Sequence, residues 1–382
     1  MIYVRQGRRQ GRPQPSRKKG ARHRRTSGWN GAVGEPGQYA AWRIQTVTGL
    51  IEPGELGPTL MHEHLLIDIR PPPMRMAMAV EDEEPVQACD CFKLTWGQKS
   101  LASNRRLDQP DIILAELSEM HAAGGRALVE LTVGGLRPDP NGLAALSQKS
   151  GVHVVMGCGH YVEAYQDEAN ANRSADDFAR EMIEQLTVGA WGTEVKAGII
   201  GEIGCQAPWT PQERRVMQGA LTAQAETGAA VNAHPGRSPD QPFELAAYVR
   251  EFGAPADRFI ISHLDRTFSD LDQYLRLADT GVVIELDLFG LEVTNYYLNP
   301  DIDLPNDGAR LKLIRGMIER GHLERIVISH DICTRNRLCH YGGHGYQHIF
   351  ANIVPLMLRR GFDQAEIDAL LVGNPARLLT FR

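Results

Sequence analysis

Cysteine is scarce in this chain, and its six cysteines do not fall into the paired spacing of a disulfide framework. A chain of 382 residues is long enough to bury its own core without covalent cross-links. The segment Cys89-Asp90-Cys91 resembles half of a zinc finger, but no matching second pair occurs. We therefore interpret the cysteines as free thiols and expect a cytoplasmic protein.

Long apolar runs are also missing. No window approaches the roughly 18 consecutive apolar residues that a membrane-spanning helix needs, so no membrane partner is expected. Hydrophobic residues make up 42% of the chain and charged residues 23%, a balance typical of soluble globular proteins. The composition thus favours a soluble body of the size of an enzyme.

The first 38 residues contain few aliphatic side chains that could be buried. Residues 1–42 carry ten Lys and Arg against one acid, Glu35, whereas the whole chain has a net charge of −6. The remainder therefore carries −15, which makes nucleic acid an unexpected partner for the body. We predict a disordered basic extension at 1–38; the apolar segment of an export signal is absent from it. Binding of nucleic acid through this extension is a separate hypothesis.

After residue 40 the chain alternates between short apolar runs and amphipathic stretches with helical spacing. This alternation predicts a parallel β-sheet covered by helices. The predicted strands are 56–64, 127–133, 152–157, 198–203, 230–233, 259–262, 282–288 and 326–329. The predicted helices are 110–123, 141–149, 174–190, 210–227, 241–252, 268–279, 307–320, 345–360 and 363–372.

Eight strands with intervening helices predict one α/β domain, a (β/α)₈ or TIM barrel, over residues 40–382. A doubly wound open sheet is the alternative, but Gly134-Gly135 is not the glycine-rich phosphate turn that such a sheet needs. A short N-terminal hairpin is predicted, in which residues 43–49 turn at 52–54 into the first barrel strand. Residues 70–100 look irregular and are predicted to be a long loop with a potential lid role.

Polar side chains occur where the predicted barrel strands end. His62 and His64 alternate with a residue between them, so an extended backbone points both imidazoles to one face. A single histidine in such a place is more often a hydrogen-bonded structural residue than a ligand. Barrel active sites, however, lie at the C-terminal strand ends, where this pattern recurs. The further residues with metal-ligand chemistry at strand ends are Glu202, His234, His263, His330 and Asp331.

Metal-binding side chains at five strand ends are improbable as independent coincidences. We therefore expect these side chains together to hold two divalent metal ions. His330 is adjacent to Asp331 and should point to the opposite side of its strand, so we exclude it. The weaker candidates are substrate-binding residues. Tyr161 follows the third strand, Arg237 and Arg266 follow histidines, and Asp287 ends the seventh strand, where it could orient a ligand or contact substrate.

These segments resemble the phosphotriesterase family of the amidohydrolase superfamily over roughly residues 44–381. The resemblance rests on five short motifs at the strand ends. Within the family, residues 285–290 and 342–346 are most similar to the animal-type and resiniferatoxin-binding-like proteins. The motifs are His62-Glu63-His64, Gly201-Glu202-Ile203-Gly204, His234-Pro235-Gly236-Arg237, Ser262-His263-Leu264-Asp265-Arg266 and His330-Asp331-Ile332.

The resemblance implies a (β/α)₈ barrel with a binuclear metal centre, usually zinc. By this likeness His62, His64 and Asp331 would hold the buried metal, and His234 and His263 would hold the outer one. Better-known members bridge the metals with a carboxylated lysine. In this chain Lys196 lies about 20 Å before Glu202 along an extended strand, so Glu202 is the better bridge. We therefore expect the metal centre to assemble without bicarbonate. Detection of a carboxylated lysine by mass spectrometry would contradict this expectation.

Two metals that share a water would produce a hydroxide near neutral pH. That bridging hydroxide would attack a carbonyl or phosphoryl group, and Asp331 would accept its proton and pass it to the leaving group. We therefore expect hydrolysis of an amide, ester or lactone in a small molecule, with an N-acyl amino compound favoured. The alternatives are a lactonase, a promiscuous phosphotriesterase and a non-catalytic binding protein. Relatives are often dimers, so analogy allows a homodimer.

Overall fold

Eight parallel strands form the central sheet of the computed structural model, which describes residues 42–77 and 84–381. The predicted extension at 1–38 lies outside the described residues. Each strand of the sheet pairs with its neighbour in chain order. The strands are β3 (Thr59–Glu63), β6 (Ala127–Glu130), β7 (His153–Cys158), β8 (Ile199–Gly204), β9 (Val231–His234), β10 (Phe259–Ile261), β11 (Val283–Leu286) and β12 (Ile326–Ile328).

The sheet curves round so that its last strand meets its first. The Asp331 amide, just after β12, donates a hydrogen bond to the His62 carbonyl of β3 over 3.0 Å. Parallel strands need long crossovers, and the helices between them supply these. The predicted (β/α)₈ barrel is therefore confirmed.

The described helices surround the barrel, and seven of these twelve have a proline at their first or second position, where this residue suits the first helical turn. None among the described residues has both the length and the apolar character that crossing a membrane requires. They are α1 (Pro72–Ala77), α2 (Cys91–Thr95), α3 (Pro110–Ala122), α4 (Pro140–Ser150), α5 (Ala175–Thr187), α6 (Pro211–Thr227), α7 (Gln241–Phe252), α8 (Leu271–Ala278), α9 (Asp307–Glu319), α10 (Val354–Arg359), α11 (Gln364–Asp368) and α12 (Asn374–Leu379).

Alternating side chains on the strands build two apolar layers. On β6, Ala127 and Val129 belong to the cluster inside the barrel, whereas Leu128 belongs to the larger cluster between strands and helices. Strands buried on both faces explain why their sequences read as continuous apolar runs. The barrel interior is therefore packed, and polar side chains are left for the strand ends.

A small antiparallel sheet adjoins the barrel. Its strands are β1 (Arg43–Thr46), β2 (Gly49–Ile51) and β13 (Thr380–Phe381). The predicted hairpin position was wrong: the chain turns at residues 47–48, where the Thr46 hydroxyl donates to the Gly49 carbonyl over 2.7 Å. β1 pairs with β2 and with β13, so β3 is free to enter the barrel.

The segment predicted as an irregular loop at 70–100 contains the two short helices α1 and α2. Nearby, β4 (Ile67–Asp68) pairs antiparallel with β5 (Arg106–Leu107). The prediction of irregular structure was therefore wrong for residues 72–77 and 88–95, whereas residues 84–87 and 96–100 contain no helix or strand. Leu94 and Thr95 of α2 line the cavity beside the candidate site described below, and the predicted lid role of this segment stays a prediction.

Register irregularities occur in β3 and β8. Between Leu60 and Glu63, β3 contains one residue more than the paired segment of β6. Between Ile200 and Ile203, β8 likewise contains one residue more than the paired segment of β9. A bulge of this kind bends a strand and changes the direction of a side chain. The two irregular segments contain His62 and Glu202, so both bulges lie at predicted metal ligands.

Candidate metal centre

The six side chains predicted as metal ligands converge at the C-terminal end of the barrel. One group consists of His62, His64 and Asp331, and its ligand atoms lie within 4.8 Å of one another. Glu202, His234 and His263 form a second group that meets the same limit. All but Asp331 are at least nine-tenths buried. The sequence thus brings together two sets of nitrogen and oxygen donors that could each hold a cation.

Glu202 lies between the two groups. Its Oε1 atom is 3.7 Å from His64 Nε2, whereas Oε2 is 2.6 Å from His234 Nδ1 and 3.2 Å from His263 Nε2. Glu202 Oε2 also lies 3.6 Å from His62 Nε2, so this one carboxylate contacts the histidines of both groups. This is the geometry that a carboxylate bridging two cations requires, and no lysine occurs among the described residues that line the adjoining cavity.

The histidine rings are oriented from behind by buried carboxylates. His62 Nδ1 lies 3.2 Å from Glu285 Oε2 and 3.3 Å from Asp287 Oδ2, and His263 Nδ1 lies 3.0 Å from Asp287 Oδ1. A hydrogen bond at Nδ1 fixes the tautomer and leaves Nε2 free to bind a metal. These contacts favour the orienting role predicted for Asp287 as its first option, which stays a prediction, and Asp287 does not line the cavity.

His62 supplies an independent test of whether a cation fits. Its Nε2 atom is buried and has no hydrogen-bond partner among the described residues. A buried nitrogen without a hydrogen-bond partner destabilises the folded protein unless a bound ion or ligand pairs with it. The atom points toward Glu202 Oε2 at 3.6 Å and Asp331 Oδ1 at 3.9 Å. Imidazole and carboxylate donors of this kind suit Zn²⁺, so the residues fit a metal.

A second relay supports His64, and the sequence did not reveal it. His64 Nδ1 lies 3.0 Å from the Thr132 hydroxyl, which donates to Glu130 Oε1 over 2.5 Å. Glu130 also accepts the Leu65 amide over 3.2 Å. The end of β6 therefore fixes both the His64 ring and the backbone that follows it.

Asp331 is held in an unusual backbone conformation. Its φ is 53°, and that of His263 is 55°; only four non-glycine residues in the described chain have positive φ. Such strain persists only where surrounding contacts impose it. Around Asp331, Glu63 accepts bonds from the Ser329 hydroxyl and from the His330 and Ile332 amides, at 2.8, 2.9 and 3.0 Å. Glu63, between the two histidines, is therefore a positioning residue.

His330 points away from the centre, as its place in the strand predicts. Its Nδ1 atom lies 2.7 Å from Glu63 Oε1, and its Nε2 accepts the Ile349 amide over 3.2 Å. Arg337 was not identified from the sequence. Its guanidinium donates to the carbonyl oxygens of Asp331, over 2.6 Å, and of His330. This buried cation fixes the same loop from the other side.

The electrostatics of the centre follow from burial and close packing. Burial by itself raises the pKa of the Glu202 carboxyl, but His234 and His263 outweigh it and hold that pKa well below its usual range. Burial lowers the pKa of His234 to about 4, although Glu202 opposes this. A neutral histidine beside an ionised carboxylate is the protonation state in which both can bind a cation.

A cavity of about 170 Å³ adjoins the centre. Its lining includes Asp331, the carboxylate of the cluster that reaches it, together with His234, Tyr161, Arg237 and Arg266. The Tyr161 hydroxyl lies 3.3 Å from His234 Nε2. Arg237 contacts the Tyr296 hydroxyl through Nε over 3.2 Å. Three of the four residues predicted to bind substrate therefore surround one space.

Arg266 differs from the other cavity residues because its guanidinium is buried and, among the described residues, contacts a histidine and a carbonyl oxygen but no carboxylate. Its Nη2 atom donates to the Pro235 carbonyl over 3.2 Å and lies 3.2 Å from His234 Nε2. Its Nη1 atom is buried and has no partner in the described chain. A buried cation with a free donor at a cavity wall is suited to receive an anionic group.

Comparison with known proteins extends the similarity over the whole barrel. A model of the phosphotriesterase family matches residues 42–379. A protein from Bos taurus named N-acetyltaurine hydrolase is 41% identical over 346 residues, which cover 89% of this chain and 98% of that protein. The matched span contains all six residues predicted as metal ligands.

Solved structures share the architecture. The crystal structure of a resiniferatoxin-binding protein from Rhodobacter sphaeroides superimposes with a TM-score of 0.81 at 34% identity, covering 88% of this chain and 94% of that one. A phosphotriesterase homology protein from Escherichia coli, complexed with phosphate in its active site, gives a TM-score of 0.70 at 29% identity. The match covers 85% of this chain and 99% of that one.

Proposed function

Because this chain belongs to the phosphotriesterase family and is a hydrolase, we propose that it cleaves small N-acyl amino compounds that carry an acidic group. The observation that carries this proposal is Glu202, whose carboxylate lies within 4 Å of histidines from both groups of candidate metal ligands beside a cavity. The bovine relative, named for hydrolysis of N-acetyltaurine, supports an amide of this class. The acidic group of such a substrate matches the unpaired Nη1 of Arg266.

The proposed centre holds two divalent ions, with Zn²⁺ as the expected metal. His62, His64 and Asp331 would hold one ion, His234 and His263 the other, and Glu202 would bridge them. When bound, this pair would supply a Lewis acid and lower the pKa of a shared water. Glu285 and Asp287 keep His62 and His263 in the tautomer that exposes Nε2.

In the proposed reaction, water adds to the amide carbonyl carbon and the carbon–nitrogen bond breaks, giving a carboxylic acid and an amine. One proton must leave the attacking water, and the departing nitrogen must gain one. Asp331 is the carboxylate of the cluster that lines the cavity, so its side chain accepts the first proton and delivers it to the nitrogen. Tyr161, near His234, is placed to hydrogen-bond the substrate.

The test is steady-state kinetics on N-acetyltaurine and on a neutral N-acetyl amide of similar size. We expect the wild type to prefer the acidic substrate. In Arg266→Gln, the ratio of kcat/KM for the acidic to the neutral substrate should fall roughly 10- to 100-fold, since a hydrogen bond to a charged group is lost. Arg315→Gln, which removes a guanidinium paired with Glu366 on the surface, is the matched control.

Two results would contradict the proposal. Substrate binding without turnover by the metal-loaded protein would favour a non-catalytic binding protein. Turnover of lactones or aryl esters alone, with N-acyl amino compounds inert, would favour the lactonase alternative. An unchanged substrate ratio in Arg266→Gln would remove this arginine from recognition of the acidic group.

A further inference from the structure

The cavity beside the metal centre is amphipathic. Its polar lining includes Tyr161, Arg237 and Arg266, from the loops that follow β7, β9 and β10, and several residues of the segment that follows β12. Its apolar lining comes mainly from the loop between β11 and α9 and from α2. A pocket with apolar walls and a few convergent polar groups selects a ligand with the same division.

The apolar wall has its own small core. Leu288, Val293 and Leu304 are less than one-tenth exposed and pack together as a separate cluster, against which Leu291 rests. All four side chains also line the cavity. A wall that is packed from behind keeps its shape, so it can present a fixed apolar surface to a ligand.

The wall continues to the protein surface. Tyr297 and Leu298 line the cavity and are nevertheless 47% and 49% exposed. Phe92 and Trp96, whose ring centroids are 5.9 Å apart, are also exposed on the neighbouring segment. Asn295 connects the two segments by donating to the Trp96 carbonyl over 3.2 Å. Clustered exposed apolar groups at the rim of a pocket are typical of a binding site.

The base of this loop is anchored by charged groups. Asp307, at the start of α9, accepts the Gly290 amide over 3.0 Å and a bond from Arg310 over 3.0 Å. Arg310 in turn donates to Asp265, which accepts the Leu288 amide over 3.0 Å. Both ends of the apolar wall are therefore fixed to the barrel.

We propose that this wall and its rim form an acyl-chain subsite, so that the preferred substrates carry an unbranched acyl group longer than acetyl. The inference rests on the proposed function, because it places the carbonyl at the metal centre and the acidic group at Arg266. The acyl chain then extends along Leu288 and Leu291 and leaves the cavity past Tyr297 and Leu298.

The test compares N-acetyl-, N-butanoyl-, N-hexanoyl- and N-octanoyltaurine with the metal-loaded enzyme. We expect kcat/KM to rise roughly two- to fourfold for each methylene, because full burial of one methylene contributes about fourfold. Binding of the matching carboxylic acids, measured by calorimetry, should strengthen in the same order. The calorimetry requires no turnover, so it tests the subsite separately from the reaction.

Leu298→Ser probes the rim, and Leu358→Ser is the matched control, since Leu358 is also 49% exposed but lies on α10. We expect Leu298→Ser to lower the octanoyl-to-acetyl ratio of kcat/KM by roughly fivefold, and Leu358→Ser to leave that ratio unchanged. A flat or falling chain-length series in both kinetics and calorimetry would overturn the subsite. Chain-length-dependent binding without hydrolysis of any N-acyltaurine would support the subsite and contradict the proposed function.

Discussion

Glu63 shows how a residue that does not line the cavity beside the candidate centre can position a residue of that centre. It is fully buried and receives four hydrogen bonds from Ser329, His330 and Ile332, the residues that surround Asp331. Burial raises the pKa of the Glu63 carboxyl, but His330 and the backbone donors outweigh this and lower it. The Glu63 carboxylate is therefore ionised, and its hydrogen bonds fix the backbone on both sides of Asp331.

Glu63→Gln should lower the free energy of unfolding of the metal-free protein by about 3 kcal/mol, because the amide of glutamine faces donors that need an acceptor. Ser329→Ala removes only one of the four bonds and should cost about 1 kcal/mol. Urea unfolding curves of both variants and the wild type measure the difference. Equal losses in the two variants would contradict the role assigned to Glu63.

Residue chemistry at the strand ends was predictable, whereas the supporting contacts were not. His62, His64, Glu202, His234, His263 and Asp331 stood out because metal-binding side chains recur where barrel strands end. The role of Glu63 was not apparent, because its partner Ser329 lies 266 residues further along the chain. The assignment of the six residues as ligands stays a prediction that the geometry supports.

The loop between β11 and α9 supplies most of the proposed acyl-chain subsite, and Asp307 anchors the base of this loop. Burial raises the pKa of Asp307, but the hydrogen bond from His348 over 2.8 Å and the charge of Arg310 outweigh it and lower the pKa to about 2. The ordinary value is near 3.9. Ionised Asp307 therefore stabilises the fold above pH 4, and this contribution is lost as the pH falls toward 2.

Asp307→Asn should lower the free energy of unfolding by about 2 kcal/mol at neutral pH, and the difference from the wild type should shrink between about pH 4 and 2. Unfolding in urea at a series of pH values measures this. Asp301→Asn, an exposed carboxylate on the same loop, is the control and should follow the wild type. A difference that stays constant with pH would contradict the stabilising role of the ionised Asp307 carboxylate.

Strand and helix order was predictable from hydrophobic periodicity, but details within strands were not. The strict alternation that placed His62 and His64 on one face takes no account of the extra residue in β3. The same applies to Glu202 in β8. Bulges depend on the register between two strands, so one strand's sequence does not reveal them.

At the scale of the whole molecule, the barrel brings together residues from β3, β8, β9, β10 and β12, which span most of the chain. The predicted order of eight strands sufficed for this, because parallel strands place their C-terminal ends at one rim. The terminal sheet was not fully predictable. β13 pairs with β1 across nearly the whole sequence, and residues 43–54 by themselves contain no sign of that partner.

The most direct test of a bridged pair of metals is the metal content of the purified chain. Inductively coupled plasma mass spectrometry would measure it for the wild type and for Glu202→Ala. Glu366→Ala, which removes a carboxylate paired with Arg315 away from the centre, is the control. We expect about two divalent ions per chain in the wild type and in the control, with a clear loss in Glu202→Ala. One ion or none in the wild type, or a content unchanged by Glu202→Ala, would contradict a bridged pair of metals.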